Sequence, residues 1–278
     1  MKSIYNLLIF TIAALSGFSQ TLVTVEGGSS IVINSGSSFT NADIKLKSES
    51  DSFSNLILDG TLGATPAAVN YDRFVNLIGS GPQGNGGNDL ISAPVFDTGV
   101  TFATFLTYGE ELDDNKNVIA NNPSNVTEYA FGPWDNSAGT YINYDSNDTD
   151  EIAQGIGYRA AAELDSDGIV RFIGSVLSSD LTNIAISNFG TSISRWNLVG
   201  NPYPSYINSQ SFLAENSDSV SANSAIDPNT AAIYGYTDGT FTGTGKFGNF
   251  IIINSLVNTD VNIAPGQGFF IRDNPDNS

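Results

Sequence analysis

Oxygen-bearing side chains at alternate positions are the first candidates for chemistry in this chain. The run from Asp145 through Asn147 and Asp148 to Asp150 places carboxylate and amide oxygens along one short loop, and calcium prefers ligands of this type. A calcium loop of the EF-hand kind also needs a glycine at its sixth position, which this run lacks. The run therefore predicts either a calcium site formed by these four residues or an ordinary solvated turn.

Aromatic side chains near polar loops form a second candidate site. Trp134, Tyr141, Tyr203 and Tyr236 lie beside Gly- and Asn-containing stretches, and Trp134 is in a Gly-Pro-Trp-Asp turn. Flat apolar rings with a polar edge can bind carbohydrate when they are exposed on loops. The alternative is that the same rings pack across a sheet. Exposed coplanar rings would favour sugar binding, whereas buried rings would favour a structural role.

Few routes to catalysis are open to this chain. It contains no histidine and no cysteine, so triads based on either residue are excluded. Glycoside hydrolysis needs only two carboxylates, but the spacing of 29 acidic residues does not single out a pair. We therefore predict a non-catalytic segment, with a glycoside-acting enzyme as the less favoured alternative.

The N-terminus has the features of a secretory signal peptide. Lys2 provides the positive charge, residues 4–15 are mostly apolar, and Gly17 and Ser19 fit a cleavage before Gln20. The apolar stretch is shorter than the roughly 20 residues of a membrane-spanning helix. We expect the protein to be exported and residues 1–19 to be removed.

The charge balance limits the partners that this protein can bind. The formal net charge is −19, which disfavours binding to nucleic acid and to anionic membranes. Extracellular polysaccharide, surface proteins and an export machinery stay open as partners. Because no disulfide can form, an exported chain of this kind must be stabilised by its core.

Short β-branched runs predict an all-β fold. In residues 20–75 such runs recur about every 10 to 13 residues, which suits a sandwich or a short β-solenoid. An Asp-Gly turn at Gly168 predicts a hairpin between residues 160–164 and 169–173. Residues 182–189 predict a further strand. The one helical pattern is at residues 209–216, after a cap at Asn208 or Ser209, and residues 101–106 are a possible counterpart.

An internal repeat divides the rest of the chain. The segment from Leu90 to Pro94 matches the segment from Leu198 to Pro202 at an offset of 108 residues, and Gly155–Tyr158 matches Gly266–Phe269 at an offset of 111. Matches in the same order with slightly different offsets are typical of a tandem duplication with loop insertions. We predict a lead-in at residues 20–75, a first unit at 76–190 and a second unit at 191–278. Both units are expected to be β-sandwich-like.

Three segments of this sequence resemble a known group of proteins. They are WNLVGNPYPS at 196–205, AAIYGYTDGTF at 231–241 and IAPGQGFFIR at 263–272. They look like the repeated β-rich modules of secreted and cell-surface proteins of Gram-negative bacteria that use the type IX secretion system. The resemblance covers nearly the whole mature chain.

The resemblance implies an extracellular or outer-membrane surface location and a scaffold or adhesion role. A carbohydrate-binding module of a secreted protein is the alternative. Proteins of that group carry a C-terminal sorting domain, whereas this sequence stops at Ser278, soon after the second GxG segment. We therefore expect these 278 residues to be the front part of a longer protein.

Overall fold

The fold is all-β, as the sequence predicts. A computed structural model describes residues 21–40, 42–63, 69–79, 86–109, 115–189, 195–217, 224–237, 249–254, 256 and 261–274. The predicted signal peptide lies outside these residues. The described part contains 21 strands and three short helices.

The lead-in consists of short strands separated by tight turns. They are β1 (Thr21–Val25), β2 (Ser30–Ile33), β3 (Ser38–Phe39), β4 (Ala42–Lys47), β5 (Asn55–Leu58), β6 (Thr61–Leu62) and β7 (Val69–Phe74). Each strand stacks in parallel on the strand three places later: β1 on β4, β4 on β7, β2 on β5 and β3 on β6. The lead-in is therefore a short β-solenoid. Alternate side chains of β4 point into the interior of the solenoid, where Ile44 and Leu46 are fully buried.

A later strand of the first unit covers the last coil of the solenoid. Strand β15 (Ile169–Gly174) pairs antiparallel with β7 along its whole length. Across this pair, the Arg171 guanidinium donates two hydrogen bonds to the buried Asp72 carboxylate, at 2.6 and 2.8 Å. Lys45 on β4 lies 3.3 Å from the same carboxylate, so one ionic group joins three strands.

This pairing shows that the predicted hairpin at 160–173 was wrong. Gly168 does adopt a positive φ of 73°, as the Asp-Gly turn requires, but the strands on its two sides join different sheets. A turn sequence fixes the local reversal of the chain and does not choose the strand partner. The Gly168 carbonyl instead accepts a hydrogen bond from Val75, next to β7.

The predicted strand at residues 182–189 was also wrong. These residues form no ladder, and their Ser187 is held by the side chain of Asn197. The Asn197 amide accepts from the Ser187 N–H at 2.9 Å and donates to the Ser187 carbonyl at 3.1 Å. A side-chain amide thus replaces the backbone ladder that a neighbouring strand would have supplied.

The three-stranded sheet of the first unit has the same strand order as the first three strands of the four-stranded sheet in the second unit. The strands of the first unit, besides β15, are β8 (Asp89–Ser92), β9 (Asn121–Asn122), β10 (Asn125–Tyr129), β11 (Phe131–Gly132), β12 (Trp134–Asp135), β13 (Thr140–Tyr141) and β14 (Gly157–Ala160). The strands of the second unit are β16 (Trp196–Gly200), β17 (Ile207–Asn208), β18 (Ala232–Thr237), β19 (Asn249–Asn254), β20 (Asn262–Ile263) and β21 (Gly268–Arg272). The orders are β8-β14-β11 and β16-β21-β18-β19.

The registers of the two sheets also correspond. Gly157 lies opposite Ser92 in the first sheet, and Gly268 lies opposite Gly200 in the second, which are matched pairs at the offsets of the sequence repeat. The duplication itself stays a prediction from the sequence. The matching order and register are what a duplicated pair would produce.

The three helices are short. They are α1 (Phe102–Phe105), α2 (Asn115–Val118) and α3 (Ser209–Asn216). The α3 prediction is confirmed, with the Asn208 side chain accepting hydrogen bonds from the N–H groups of Gln210 and Ser211 as the cap. Helix α1 lies in the segment predicted as its counterpart in the first unit and is capped by Thr101.

The two units meet through a reciprocal exchange of backbone hydrogen bonds. The N–H of Ser92 donates to the Gly266 carbonyl at 2.8 Å, and the N–H of Gly200 donates to the Gly155 carbonyl at 3.0 Å. Ser92 and Gly200 are matched positions of the sequence repeat, and so are Gly155 and Gly266. The two hydrogen bonds are therefore equivalent, with the roles of the two units exchanged. Bridges between Ile91 and Gln267 and between Ile156 and Val199 repeat this relation.

In the part of the chain that the structure describes, the buried apolar side chains form three clusters. The largest includes residues of both the lead-in and the first unit, from Val25 to Phe172, so these two parts share one core. A second cluster belongs to the second unit and includes Ile233 and Phe269. A third joins Leu90 of the first unit to Leu198 and Phe270 of the second.

The contact between Ser92 and Gly200 can be tested by exchanging the two residues. A Cβ added at Gly200 would lie 2.3 Å from the Cβ of Ser92, so the matched positions have room for one side chain only. Gly200→Ser should lower the free energy of unfolding by about 1–3 kcal/mol through overpacking. The double variant Ser92→Gly/Gly200→Ser should recover most of that loss, because it again places a single hydroxymethyl group there. Urea unfolding measures both, and additive losses in the double variant would refute the contact.

Candidate functional site

The structure brings three of the four predicted carbohydrate-binding residues into one aromatic cluster. Trp134 and Tyr141 are paired across the β12–β13 hairpin, and Trp134 also contacts Phe270 of β21. Tyr236 on β18 contacts Phe250 on β19, whose ring contacts the same Phe270. The two units therefore build this cluster together.

Alternation along the strands explains why these rings share one face. Tyr234 and Tyr236 are two residues apart on β18, and their antiparallel partners on β19 are Ile252 and Phe250. Trp196 on β16 extends the face and contacts Tyr234 at a ring distance of 4.7 Å. Sequence reasoning missed Phe250 and Phe270. Their alternation with Ile251 and Ile271 was the signal that could have placed them here.

The rings of this aromatic cluster meet edge to face. The interplanar angles are 75° for Trp134 with Tyr141, 87° for Trp134 with Phe270 and 89° for Trp196 with Tyr234. Edge-to-face contact is a favoured arrangement for rings that pack against one another. Trp134 and Tyr141 are half-buried. This geometry favours packing over a flat platform for sugar.

Tyr203, the fourth predicted aromatic residue, lies apart from this cluster. It lines a cleft of about 240 Å³ between the solenoid and the two loops at residues 176–180 and 203–205. Its hydroxyl accepts a hydrogen bond from the Leu181 N–H at 3.0 Å and donates to the Ser179 carbonyl at 3.2 Å. The ring therefore ties a connecting segment to the second unit.

The four predicted calcium ligands lie in a loop whose oxygens are used locally. The Asp145 carboxylate accepts hydrogen bonds from the Thr127 hydroxyl at 2.5 Å and from the Asn147 N–H at 3.1 Å. These bonds hold the pKa of Asp145 below its usual value, the Thr127 hydroxyl most of all. The Asp148 carboxylate accepts from the backbone N–H of Asp145 at 2.7 Å.

The backbone of the same loop caps a helix. The Asp150 carbonyl accepts from the Phe102 N–H at 2.9 Å, and the Asp148 carbonyl accepts from the Ala103 N–H at 3.1 Å. These contacts support the structural-turn alternative for the loop. Among the residues that the structure describes, no three or more Asp or Glu side chains converge closely enough to hold a metal ion. Calcium binding by Asp145, Asn147, Asp148 and Asp150 stays a prediction.

A buried arginine links all three parts of the chain. Arg73 on β7 is 2% exposed, and its guanidinium lies 4.8 Å from the centre of the Phe53 ring in the solenoid. Its Nη2 lies 3.5 Å from the Asp89 carboxylate of the first unit and 3.3 Å from the Gln267 side-chain oxygen of the second. The Gln267 amide nitrogen donates to the Leu90 carbonyl at 2.8 Å.

Sequence reasoning missed this link. Its signals are a charged residue inside the strand pattern around Arg73 and a polar residue between the two glycines of the Gly266-Gln267-Gly268 segment. Neither signal predicts which residue the other contacts, since Arg73 and Gln267 are 194 residues apart.

The buried carboxylates of the second unit are paired with an arginine. Arg195 donates from Nε to the Asp273 carboxylate at 3.0 Å and from Nη2 to the Asp227 carboxylate at 3.2 Å. Burial alone would raise the pKa of Asp227, but the Asn229 N–H, the Thr230 hydroxyl and the Arg195 guanidinium outweigh it and lower that pKa. This arrangement fastens the start of β16 to the end of β21.

Comparison with models of protein families, with curated proteins and with solved structures gave no match. None of the helices in the described residues has the length and apolar character needed to cross a membrane.

The packing of Tyr141 predicts its titration. Burial raises its pKa from 10.0 to about 12, opposed in part by the Arg159 guanidinium. The unfolded chain ionises near pH 10, so the stability associated with this proton is complete below pH 10 and is lost as the pH rises toward 12. An ultraviolet titration of the protein and of Tyr141→Phe should differ by one tyrosine ionising near pH 12. A difference centred at pH 10 would show an exposed ring instead.

Proposed function

We propose that this chain is a non-catalytic segment of an exported protein and acts as a rigid scaffold or adhesion segment at the cell surface. The observation that carries the proposal is the joining of all three parts by buried contacts. The solenoid and the first unit share a core, and the second unit is attached through the exchanged backbone bonds and through Gln267. Such a body can hold its ends at a fixed separation.

The placement of the acidic residues supports a non-catalytic role. Asp72, Asp227 and Asp273 are the buried carboxylates in the described part of the chain, and each accepts hydrogen bonds from an arginine. These carboxylates are engaged in structural ion pairs, whereas glycoside hydrolysis requires two carboxyl groups that act on the substrate. The many exposed acidic residues keep an exported protein soluble.

The export route is proposed from the sequence. The signal-peptide features at residues 1–19 support passage across the inner membrane. The resemblance to modules of the type IX secretion system supports onward transport to the outer surface. In such a setting the acidic, cysteine-free body would be one part of a larger extracellular protein.

Export can be tested in cells that carry the natural gene. A charge in the apolar stretch, Leu8→Arg, should block export and leave an uncleaved precursor inside the cell, whereas the control Leu8→Ile should be processed normally. Antibody labelling of intact cells and N-terminal sequencing of the mature protein measure the two effects. Unchanged surface labelling of Leu8→Arg, or a mature protein that does not begin near Gln20, would contradict the proposal.

A second candidate function is carbohydrate binding at the exposed edge of the aromatic cluster that contains Trp134, Tyr141 and Tyr236. Phe250 beside them is 50% exposed, so part of the aromatic cluster is open to a ligand. If this cluster binds a glycan, Tyr236→Ala should weaken binding by roughly tenfold, or about 1.4 kcal/mol. Tyr203→Ala, in the separate cleft, is the matched control.

Affinity electrophoresis on a panel of neutral and acidic polysaccharides measures this binding. Equal loss in both tyrosine variants would place the ligand elsewhere. No retardation on any polysaccharide would leave the scaffold proposal standing alone.

A further inference from the structure

The cleft beside Tyr203 runs along an edge of the solenoid. Strand β5 forms one wall, and the loops at residues 176–180 and 203–205 form the other. Its volume of about 240 Å³ is below the roughly 300–1,000 Å³ of a pocket that encloses a whole small molecule. A cleft of this size suits a short stretch of an extended ligand that continues beyond it.

Backbone groups of β5 point into this cleft. The N–H groups of Asn55 and Asp59 donate to carbonyls of the β2 segment (residues 29–33), at 3.0 and 2.9 Å. In a parallel ladder the N–H and C=O groups of successive residues point to alternate edges of the strand. Those of Leu56 and Leu58 therefore point away from β2 and toward the cleft.

The second unit already supplies the first contact of a further strand at this edge. The Leu56 N–H donates to the Pro204 carbonyl at 2.7 Å. The Pro204 carbonyl thus takes the place of the first acceptor of a third coil stacked in parallel on β5. The Leu56 C=O and the Leu58 N–H come next along the cleft, and within the described residues neither has a backbone partner.

The wall opposite β5 is fixed by its own hydrogen bonds. The Asn201 side chain is fully buried and donates to the carbonyls of Ser205 and Ala264, at 2.8 and 3.0 Å. The Tyr203 hydroxyl joins this loop to residues 179–181, and a proline on each side of Tyr203 restricts the backbone further. A wall that is already ordered lowers the entropy cost of binding.

The side chains around the cleft indicate the chemistry of its ligand. Val32 and Ile57 are register partners on the outer face of the solenoid, where they are 38% and 41% exposed. A β-branched residue on an added strand would extend this row. Asp59 and Asp180 line the cleft with exposed carboxylates, and in the described part of the chain neither carboxylate has a hydrogen-bond or ion-pair partner. Together with the net charge of −19, they favour a basic side chain over an acidic one.

We propose that this cleft binds an extended basic segment of a partner protein, which adds to β5 as a parallel strand. A β-branched residue of the segment lies beside Ile57, donates its N–H to the Leu56 carbonyl and accepts from the Leu58 N–H. The residue two positions later is lysine or arginine and lies beside Asp59, because alternate side chains share one face of a strand. In strand addition of this kind the backbone bonds provide affinity and the side chains provide specificity.

A nuclear magnetic resonance titration of the purified, nitrogen-15-labelled protein tests the proposal, and its outcome is independent of the export experiment. The probe is acetyl-Val-Thr-Lys-Thr-amide at millimolar concentration, whose valine and lysine have the required spacing. The Leu58 amide signal should shift and saturate, whereas that of Leu22 on β1, in the first coil, should not.

Two matched variants test the charge. Asp59→Asn should weaken binding of the probe roughly twofold to fivefold, the range of an exposed ion pair. Asp51→Asn removes an exposed carboxylate from a solenoid turn outside the cleft and should leave the affinity unchanged. Equal affinity of Asp59→Asn and the natural protein overturns the proposed contact with a basic residue.

Two altered peptides test the backbone pairing and the sign of the charge. A peptide with N-methylvaline cannot donate to the Leu56 carbonyl, and a peptide with glutamate in place of lysine is repelled by Asp59. Neither should shift the Leu58 signal. No shift with the lysine peptide, or an equal shift with either altered peptide, overturns the proposal. A shift of Leu58 by a neutral polysaccharide but not by the lysine peptide also overturns it and assigns the cleft to a glycan.

Discussion

The backbones at Ser92 and Gly200 lie very close together, and the arrangement of the two units depends on this constraint. The exchanged hydrogen bonds, Ser92 to Gly266 and Gly200 to Gly155, form only if the two strands approach without intervening side chains. Glycine allows this on one side, and serine contributes the single Cβ that the space admits. The matched positions thus differ in sequence because the contact between them cannot be fully symmetric.

The buried polar groups next to this contact specify the arrangement more than they stabilise it. Burying Arg73 costs desolvation energy, and its ion pair and hydrogen bonds offset that cost only partly. An apolar residue of similar volume would fill the same space but would not distinguish one placement of the second unit from another. The Gln267 side chain makes the distinction, because it accepts from Arg73 and donates to the Leu90 carbonyl at once.

Local sequence signals predicted the solenoid strands and helix α3, whereas strand partners were beyond their reach. Alternation around Ile44 and Leu46 and the cap at Asn208 involve residues close together in the chain, so propensity and pattern suffice. The partner of β15 depends on an ion pair between Asp72 and Arg171, which are 99 residues apart. The aromatic site was predicted in part for the same reason: loop composition indicated Trp134 and Tyr141, but only the pairing of β21 with β16 and β18 brings Phe270 between the two units.

The two units differ at the outer edges of their sheets, although three strands in each sheet have the same order. In the first unit the outer strand β11 is covered by the segment at Tyr144, whose N–H donates to the Phe131 carbonyl at 2.9 Å. The Tyr144 ring is buried and packs on Phe102 at a ring distance of 5.2 Å. Carbonyls of the acidic loop that follows it cap helix α1, so the edge is folded back onto its own core. In the second unit the outer strand is the isoleucine-rich β19, in which Ile253 is buried while Phe250, Ile251 and Ile252 are about half exposed. Among the residues that the structure describes, the edge of the first sheet is therefore covered by its own unit, whereas β19 stands at the end of the strand order of the second sheet.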